Sequence, residues 1–320
     1  MDWRPCADLA SLKFRAALLT QIRQFFHARD VWEVDTPSLA RYGVTDPALH
    51  NLAVTGTFGH RLLQTSPEYH MKRLLAAGSG SIYQIAHAFR DDESGRRHEP
   101  EFTLLEWYRV GFDHHQLMRE VETLVQELAH DVVPLGNSEH YTYQTLFQTY
   151  LGIDPFTQSA HALRQLGEHH GLHLVNADVM CDKDVWLDLL LSHLIEPKLG
   201  QQGLCFITDY PISQAALAKV RHAAPPVAER FEVYWQGLEL ANGFHELTDA
   251  NEQQQRFEQD NIEAKALGLP ERPIDPSLLH ALSAGLPACA GVALGLDRLL
   301  MSLLKQEDIA HVMAFPQANA

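Results

Sequence analysis

The sequence predicts an α+β fold, an antiparallel sheet flanked by helices, and three observations predict it. Two apolar stretches read as β-hairpins: "SIYQIAHAFR" with "EFTLLEWY" around a polar loop, and "FEVYWQGLELANGF" turning at Gln236-Gly237. Two long stretches carry amphipathic helical periodicity, "SLKFRAALLTQIRQFFHAR" (11–29) and "QLMREVETLVQELAHDVV". Near the C-terminus "AGVALGLDRLLMSLLK" reads as a strand running straight into a helix. Strands in the middle with long helices beside them suit a sheet whose apolar face is covered by helices.

The elements follow in order. In 11–29, Leu12, Ala16, Leu19, Ile22 and Phe26 line up on one helical stripe. "VWEVDTP" is a short strand stopped by Pro37, which cannot donate to a ladder. "TSPEYHMKRLLAAG" is a helix with Ser66 at the cap, Pro67 at the first position and Gly78 at the stop. The span 155–222 changes character, since "SAHALRQLGEHHG" and "DVWLDLLLSHLIEPKLG" are both helical. We read it as a helical insertion between two sheet regions of one domain, 1–320.

Composition bounds the function. A chain of 320 residues that is 46% hydrophobic buries a large core. A net charge of -16 argues against a broad nucleic-acid-binding face but leaves room for a local basic site. Cys6, Cys181, Cys205 and Cys289 are scattered without a CxxC pair, against a disulfide framework or a zinc ribbon. No apolar run approaches the ~18 residues of a membrane span. Asp2 and Arg4 precede any apolar run, so no signal peptide is expected. A reducing, cytoplasmic setting is the expectation.

Within "AFRDDESGRRHEPEFTLLEWY", strand alternation puts Ala86, Ala88 and Arg90 on one face, and Phe102, Leu104, Glu106 and Tyr108 on one face. Paired as a hairpin, these strands present an arginine, an aromatic plate, a carboxylate and a phenol. Arg96, Arg97 and His98 sit in the loop between them. A guanidinium suits phosphate because its planar fork donates two parallel hydrogen bonds. The set suits a nucleotide triphosphate and a cationic partner, although a solvated hairpin loop also accounts for the composition. Glu232 and Glu239, on opposite arms of the second hairpin, are hard oxygen ligands of the kind that hold Mg²⁺, or else paired acids on a wet strand. Gly291 and Gly295 allow backbone to approach a ligand, and Arg298 follows near a helix start. Neither a G-x-x-x-x-G-K-[ST] loop nor a G-x-G-x-x-G fingerprint is present, so ATP would not be held in either of those fashions.

Together these stretches resemble the class II aminoacyl-tRNA synthetases. "VWEVDTP" resembles their motif 1, "FRDDESGRRHEPEFTLLEWY" motif 2 and "GVALGLDR" motif 3. "TSPEYHMKRLL", "RHEPEFTLLEWY" and "ELANGFHEL" resemble the lysyl-tRNA synthetase branch. The resemblance implies a class II catalytic domain and a role for each matching residue. Arg90 would grip the α-phosphate and the substrate carboxylate, with Arg298 as the second catalytic arginine. Arg97 and His98 would hold the outer phosphates, Phe102 and Arg298 would sandwich adenine, and Asp92, Leu240 and Gly295 would complete the ATP site. Glu232 and Glu239 would hold Mg²⁺. Asn242 would meet the substrate carboxylate, Glu68 one ammonium, and Glu246 and Tyr108 the side-chain ammonium. Ser66, Glu106 and Ala293 would line the same pocket. Three carboxylates in one pocket make sense for a cationic substrate, because a buried carboxylate without a partner is costly.

Two residues depart from the family pattern. Asp92 stands where the family has glutamate, one methylene longer, and Ala293 stands where lysyl-tRNA synthetases have glycine. The OB-fold anticodon reader that opens lysyl-tRNA synthetases is also missing: roughly ten residues precede the motif 1 helix. The resemblance is therefore to the stand-alone paralogues that activate (R)-β-lysine with ATP and join it to a lysine side chain of elongation factor P. tRNA and membrane are not expected partners. Other readings are an enzyme that acts on a tRNA acceptor stem, a regulatory paralogue without catalysis, and a metal-binding protein suggested by "EHHGLH" (168–173) and His114-His115. A homodimer is expected through the motif 1 region, with Phe25, Phe26 and Trp32 offering the apolar contact.

Overall fold

Asp8 starts the first helix, α1 (Leu9–His27), by accepting a hydrogen bond from the Ser11 N–H. Leu18, Ile22, Phe25 and Phe26 form the buried face of α1. The apolar stripe is thus turned slightly from the sequence pattern, which leaves Ala16 exposed. The computed structural model describes residues 3–91, 94–174 and 182–320. The chain divides into two units, 1–134 with 245–320, and 135–244.

The first unit continues with β1 (Trp32–Glu33), β2 (Leu39–Ala40), β3 (Ala53–Gly56), β4 (Gly59–Leu63), α2 (Glu68–Ala76), β5 (Ile82–Phe89), β6 (Glu101–Val110) and α3 (His114–Ala129). The second unit holds β7 (Glu139–Thr142), α4 (Tyr143–Leu151), α5 (Ala160–His169), α6 (Lys183–Leu190), β8 (Cys205–Pro211), β9 (Val220–Arg221), β10 (Val227–Trp235) and β11 (Leu238–His245). The chain then returns to the first unit with α7 (Ala250–Ala266), α8 (Pro276–Gly285), β12 (Cys289–Gly295) and α9 (Leu296–Leu304).

In the first unit the main strands lie in the order β1-β5-β6-β12, and β2-β4-β3 form a small separate sheet. β5, β6 and β12 are antiparallel, while the two residues of β1 pair with β5 in parallel. The register puts Ala88 opposite Phe102 and Gln84 opposite Glu106. On the other edge of β6, Tyr108 faces Gly291, Glu106 faces Ala293 and Leu104 faces Gly295. One sheet face therefore carries the residues that the hairpin pattern brings together. Beneath it, Phe26 stacks on Tyr83 at 4.4 Å and meets Trp107 edge-on at 5.4 Å. Phe25 lies under the Arg29 guanidinium, 3.4 Å from its ring centroid. Phe26 covers the chain's own sheet and Phe25 is buried beside it, which corrects the expectation that they line a subunit contact; Trp32 stays 53% exposed.

The second unit has its own core, in which Tyr143, Phe147, Trp186, Leu187 and Ile207 are fully buried. Its strands run β11-β10-β8-β7, with β9 against β10. The β10–β11 hairpin turns where expected, with Gln236 at φ 54° and Gly237 at φ 70°. Two consecutive left-handed residues are what a tight hairpin needs to match strand twist. Within 155–222, α5 and α6 supply the helices, and β8 and β9 are strands that pair with β10.

Candidate active site

Charge is concentrated in the first unit around Lys72. Its side chain is 2% exposed, with Nζ 2.7 Å from Glu68 Oε1 and 2.6 Å from Glu246 Oε2. Beside this pair, Tyr108 donates to Glu106 at 2.8 Å. Ser66 also hydrogen-bonds Glu106, and its Oγ accepts from the Glu68 N–H at 3.0 Å at the start of α2. Burial, reinforced by the charge of Glu68, pushes the Glu106 carboxyl up to about 8. Burial likewise raises Glu246, to about 7, against the opposing pull of Lys72. Burial disfavours the Lys72 ammonium, but Glu246 and Glu68 outweigh it and hold Lys72 above its ordinary value. The Gly291 N–H donates to Glu246, and a Cβ at Gly291 would collide with the Tyr108 ring and the Glu246 carboxylate. A pocket with three carboxyl groups and one lysine stabilises added positive charge.

Of the residues expected at the nucleotide, Arg90, Arg97, His98, Phe102, Gly295 and Arg298 belong to the same unit. Arg90 leaves the end of β5, its N–H donating to Pro100 O at 2.9 Å, and its guanidinium lies 5.0 Å from the Phe102 ring centroid. The loop that follows is pinched where Gly95 and His98 exchange backbone hydrogen bonds of 3.1 and 3.2 Å. Arg298 Nη2 lies 2.7 Å from His98 Nε2, and its Nε donates to the Arg97 carbonyl at 3.4 Å. A guanidinium only donates, so His98 accepts through Nε2. Asp92 lies outside the described residues.

One buried cluster fixes these residues against one another. Asp297, 2% exposed, accepts from Arg15 Nη1 at 2.5 Å and from the Thr103 N–H at 2.7 Å. Arg15 also donates to Thr103 Oγ1 at 2.7 Å. Asp297 adjoins Arg298 on α9, and Thr103 adjoins Phe102 on β6, so the cluster ties the two proposed adenine partners to one frame.

The second unit carries Glu232, Glu239, Leu240 and Asn242. Asn242 pairs with Glu232 across the β10–β11 ladder, Leu240 is buried, and Glu239 is half-buried on β11. The Glu232 carboxylate is already committed. Tyr210 and Tyr234 both donate to its Oε2 at 2.6 Å, and Arg230 donates to Oε1. A guanidinium on the same carboxylate competes with a second cation there.

The comparisons with known proteins bear on this geometry. A family model described as tRNA synthetases class II (D, K and N) matches residues 1–319. The chain belongs to this family. Among curated relatives, a protein of Vibrio cholerae serotype O1 named elongation factor P–(R)-β-lysine ligase is 51% identical, over 100% of this chain and 99% of the relative. A protein of the same name from Pasteurella multocida is 48% identical, over 100% of this chain and 98% of the relative. A third, from Vibrio vulnificus, is 52% identical over 98% of each. A class II domain with an ATP-dependent ligase chemistry is thus the setting of the site. Within that setting the sequence reading missed Lys72, Asp297 and the contact role of Gly291. The Glu68–Lys72 spacing of four within a helix was a visible signal, but spacing does not reveal that the pair is buried. No helix among the described residues is long and apolar enough to cross a membrane.

Proposed function

We propose that the protein activates (R)-β-lysine with ATP as its adenylate and transfers it to a lysine side chain of elongation factor P. The observation that carries this reading is the meeting of Glu68 and Glu246 on one buried lysine, with Glu106 close enough to act on the same group of carboxyls and paired with Ala293 across the sheet. The printed names of the relatives support it. In the first step the substrate carboxylate attacks the α-phosphorus and pyrophosphate leaves. Arg90 stabilises charge on the phosphorus oxygens, Arg97, His98 and Arg298 hold the outer phosphates, and Phe102 with Arg298 holds adenine. Gly295 lines the ATP site, and Arg90 also meets the substrate carboxylate. Most of this catalysis is positioning and electrostatics. Mg²⁺, held by Glu239, would supply charge neutralisation on the phosphates. Glu232, whose carboxylate Tyr210, Tyr234 and Arg230 already bind, acts with Glu239 on Tyr234.

In the second step the acceptor amine attacks the anhydride carbonyl, the bond to phosphate breaks and AMP leaves. A lysine amine with an ordinary pKa of ~10.4 must first lose its proton, and the adenylate phosphate is the proposed acceptor. Free cysteines at Cys6, Cys205 and Cys289 support a reducing, cytoplasmic setting. The half-exposed Trp32 supports a homodimer through the α1–β1 region. ATP–pyrophosphate exchange with each lysine isomer tests the reading. Exchange driven best by (R)-β-lysine, and lost in Arg90→Ala at unchanged circular dichroism, is expected; exchange that needs neither isomer contradicts it.

A further inference from the structure

Lysine is almost never fully buried unless it is paired, because its ammonium gives up hydration that only ionic partners replace. Lys72 is 1% exposed, and two of its three N–H donors meet carboxylates at 2.7 and 2.6 Å. These are the carboxylates assigned above to the substrate. Glu68 comes from the first turn of α2, whereas Glu246 follows β11, and one Nζ draws an oxygen of each to the same point. The groups that act on this centre are Glu68 on α2, Glu106 and Tyr108 on β6, Glu246, and Cys289 on β12.

We propose that Lys72 is a positioning residue for the amino-acid substrate: its ammonium gathers Glu68 and Glu246 at one point and leaves the pocket with a charge that a diammonium ligand completes. The proposal rests on the β-lysine reading of the pocket. The charge count carries it. Three carboxylates against one resident ammonium leave two negative charges when all are ionised. Lysine and β-lysine each bring two ammonium groups, and their carboxylate is the business of Arg90. With Lys72 in place the pocket is neutral once filled. Without it, three carboxylates meet two ammonium groups, and one buried carboxylate must take up a proton or stay unpaired, at a cost to binding. A monoamine would leave the same deficit in the unaltered pocket, so Lys72 also selects for ligands with two ammonium groups.

The test is ATP–pyrophosphate exchange by the full chain carrying Lys72→Met, with Lys72→Arg as the charge-conserving control. The expected result is a KM for (R)-β-lysine raised about tenfold or more near neutral pH, with kcat and the KM for ATP within about twofold. Lys72→Arg, which restores the charge, should retain most of the affinity. A purely structural role would instead lower the melting temperature and change kcat and both KM values together, with no rescue by Lys72→Arg. That result, or an unchanged KM for the amino acid, overturns the proposal. Should Lys72→Met fail to fold, the proton–nitrogen spectrum of the wild-type lysine ammonium groups decides. A slowly exchanging signal that shifts on addition of (R)-β-lysine is required, and its absence overturns the proposal. Wild-type enzyme inert toward every lysine isomer would instead overturn the substrate reading on which the proposal stands.

Discussion

Ala293 is where a single methyl has the most to decide. The β6–β12 register places it opposite Glu106, on the face shared with Tyr108 and Gly291, and it is half-buried. If Arg90 and Asn242 fix the substrate carboxylate and Glu246 with Tyr108 fixes the far ammonium, the middle amine of lysine and of β-lysine must sit in different places. The methyl discriminates by crowding one of them. We expect Ala293→Gly to raise kcat/KM for α-lysine by roughly tenfold or more, with a smaller effect on β-lysine, in steady-state pyrophosphate exchange. Glu106 gives a second prediction. Its folded value of about 8 stands above the ordinary 4.5 of an unfolded chain, chiefly through burial. Between those values the folded state holds a proton that the unfolded state has released, so stability falls as pH rises through the window. Thermal denaturation of the ligand-free protein should show a melting temperature that declines from about pH 5 to about pH 8, and a shallower decline in Glu106→Gln. At this scale the sequence was informative about which residue types assemble, as Glu68, Glu106, Tyr108 and Glu246 do. It was silent about Lys72, because a surface i,i+4 pair and a buried one have the same spacing. It was also silent about the donors of Glu232, since Tyr210 reaches it only through strand pairing.

Elements hold these residues through a few contacts that can be broken singly. Asp297 links α1, β6 and α9 by accepting from Arg15 and Thr103. Removing it leaves a part-buried Arg15, whose side chain is 20% exposed, without its partner. Breaking a buried pair in this way costs about 3–5 kcal/mol. Asp297→Ala should therefore lower the denaturation midpoint and raise the KM for ATP, while the KM for the amino acid changes little, because Lys72 and its carboxylates lie outside the cluster. Equal losses in both KM values would count against a local role. The elements themselves were largely legible. The Gln236-Gly237 turn was readable because two positive φ angles demand such residues. Ser66 does serve the start of α2, although the helix begins at Glu68, one residue after Pro67. Less legible was the buried face of α1: Leu12, Ala16 and Leu19 fit a helical stripe, yet Leu18 and Phe25 are the ones buried, since neighbouring stripes differ by only one residue and packing chooses between them. β8 escaped notice within 155–222 because strong helical signals on its N-terminal side dominated that span.

At the scale of the whole molecule, burial of Phe25 and Phe26 leaves Trp32 and Leu9 as the exposed large apolar residues of α1 and β1, and the proposed association rests on this surface. Light scattering at micromolar concentration should still show a dimer, and Trp32→Glu should shift it toward monomer; a monomeric wild type would remove that part of the account. Net charge bears on the acceptor. At -16 the chain has no general attraction for a phosphate backbone, and binding to tRNA would have to overcome a net repulsion that is strongest at low salt, where screening is weak. A protein acceptor does not face the same penalty. The central claim is tested most directly by intact-mass spectrometry of purified elongation factor P after incubation with this protein, ATP and (R)-β-lysine, alongside a parallel reaction with tRNA. The account predicts that elongation factor P gains the mass of one lysyl group, dependent on ATP and lost with Arg90→Ala, while tRNA stays uncharged. Unmodified elongation factor P together with aminoacylated tRNA would contradict it.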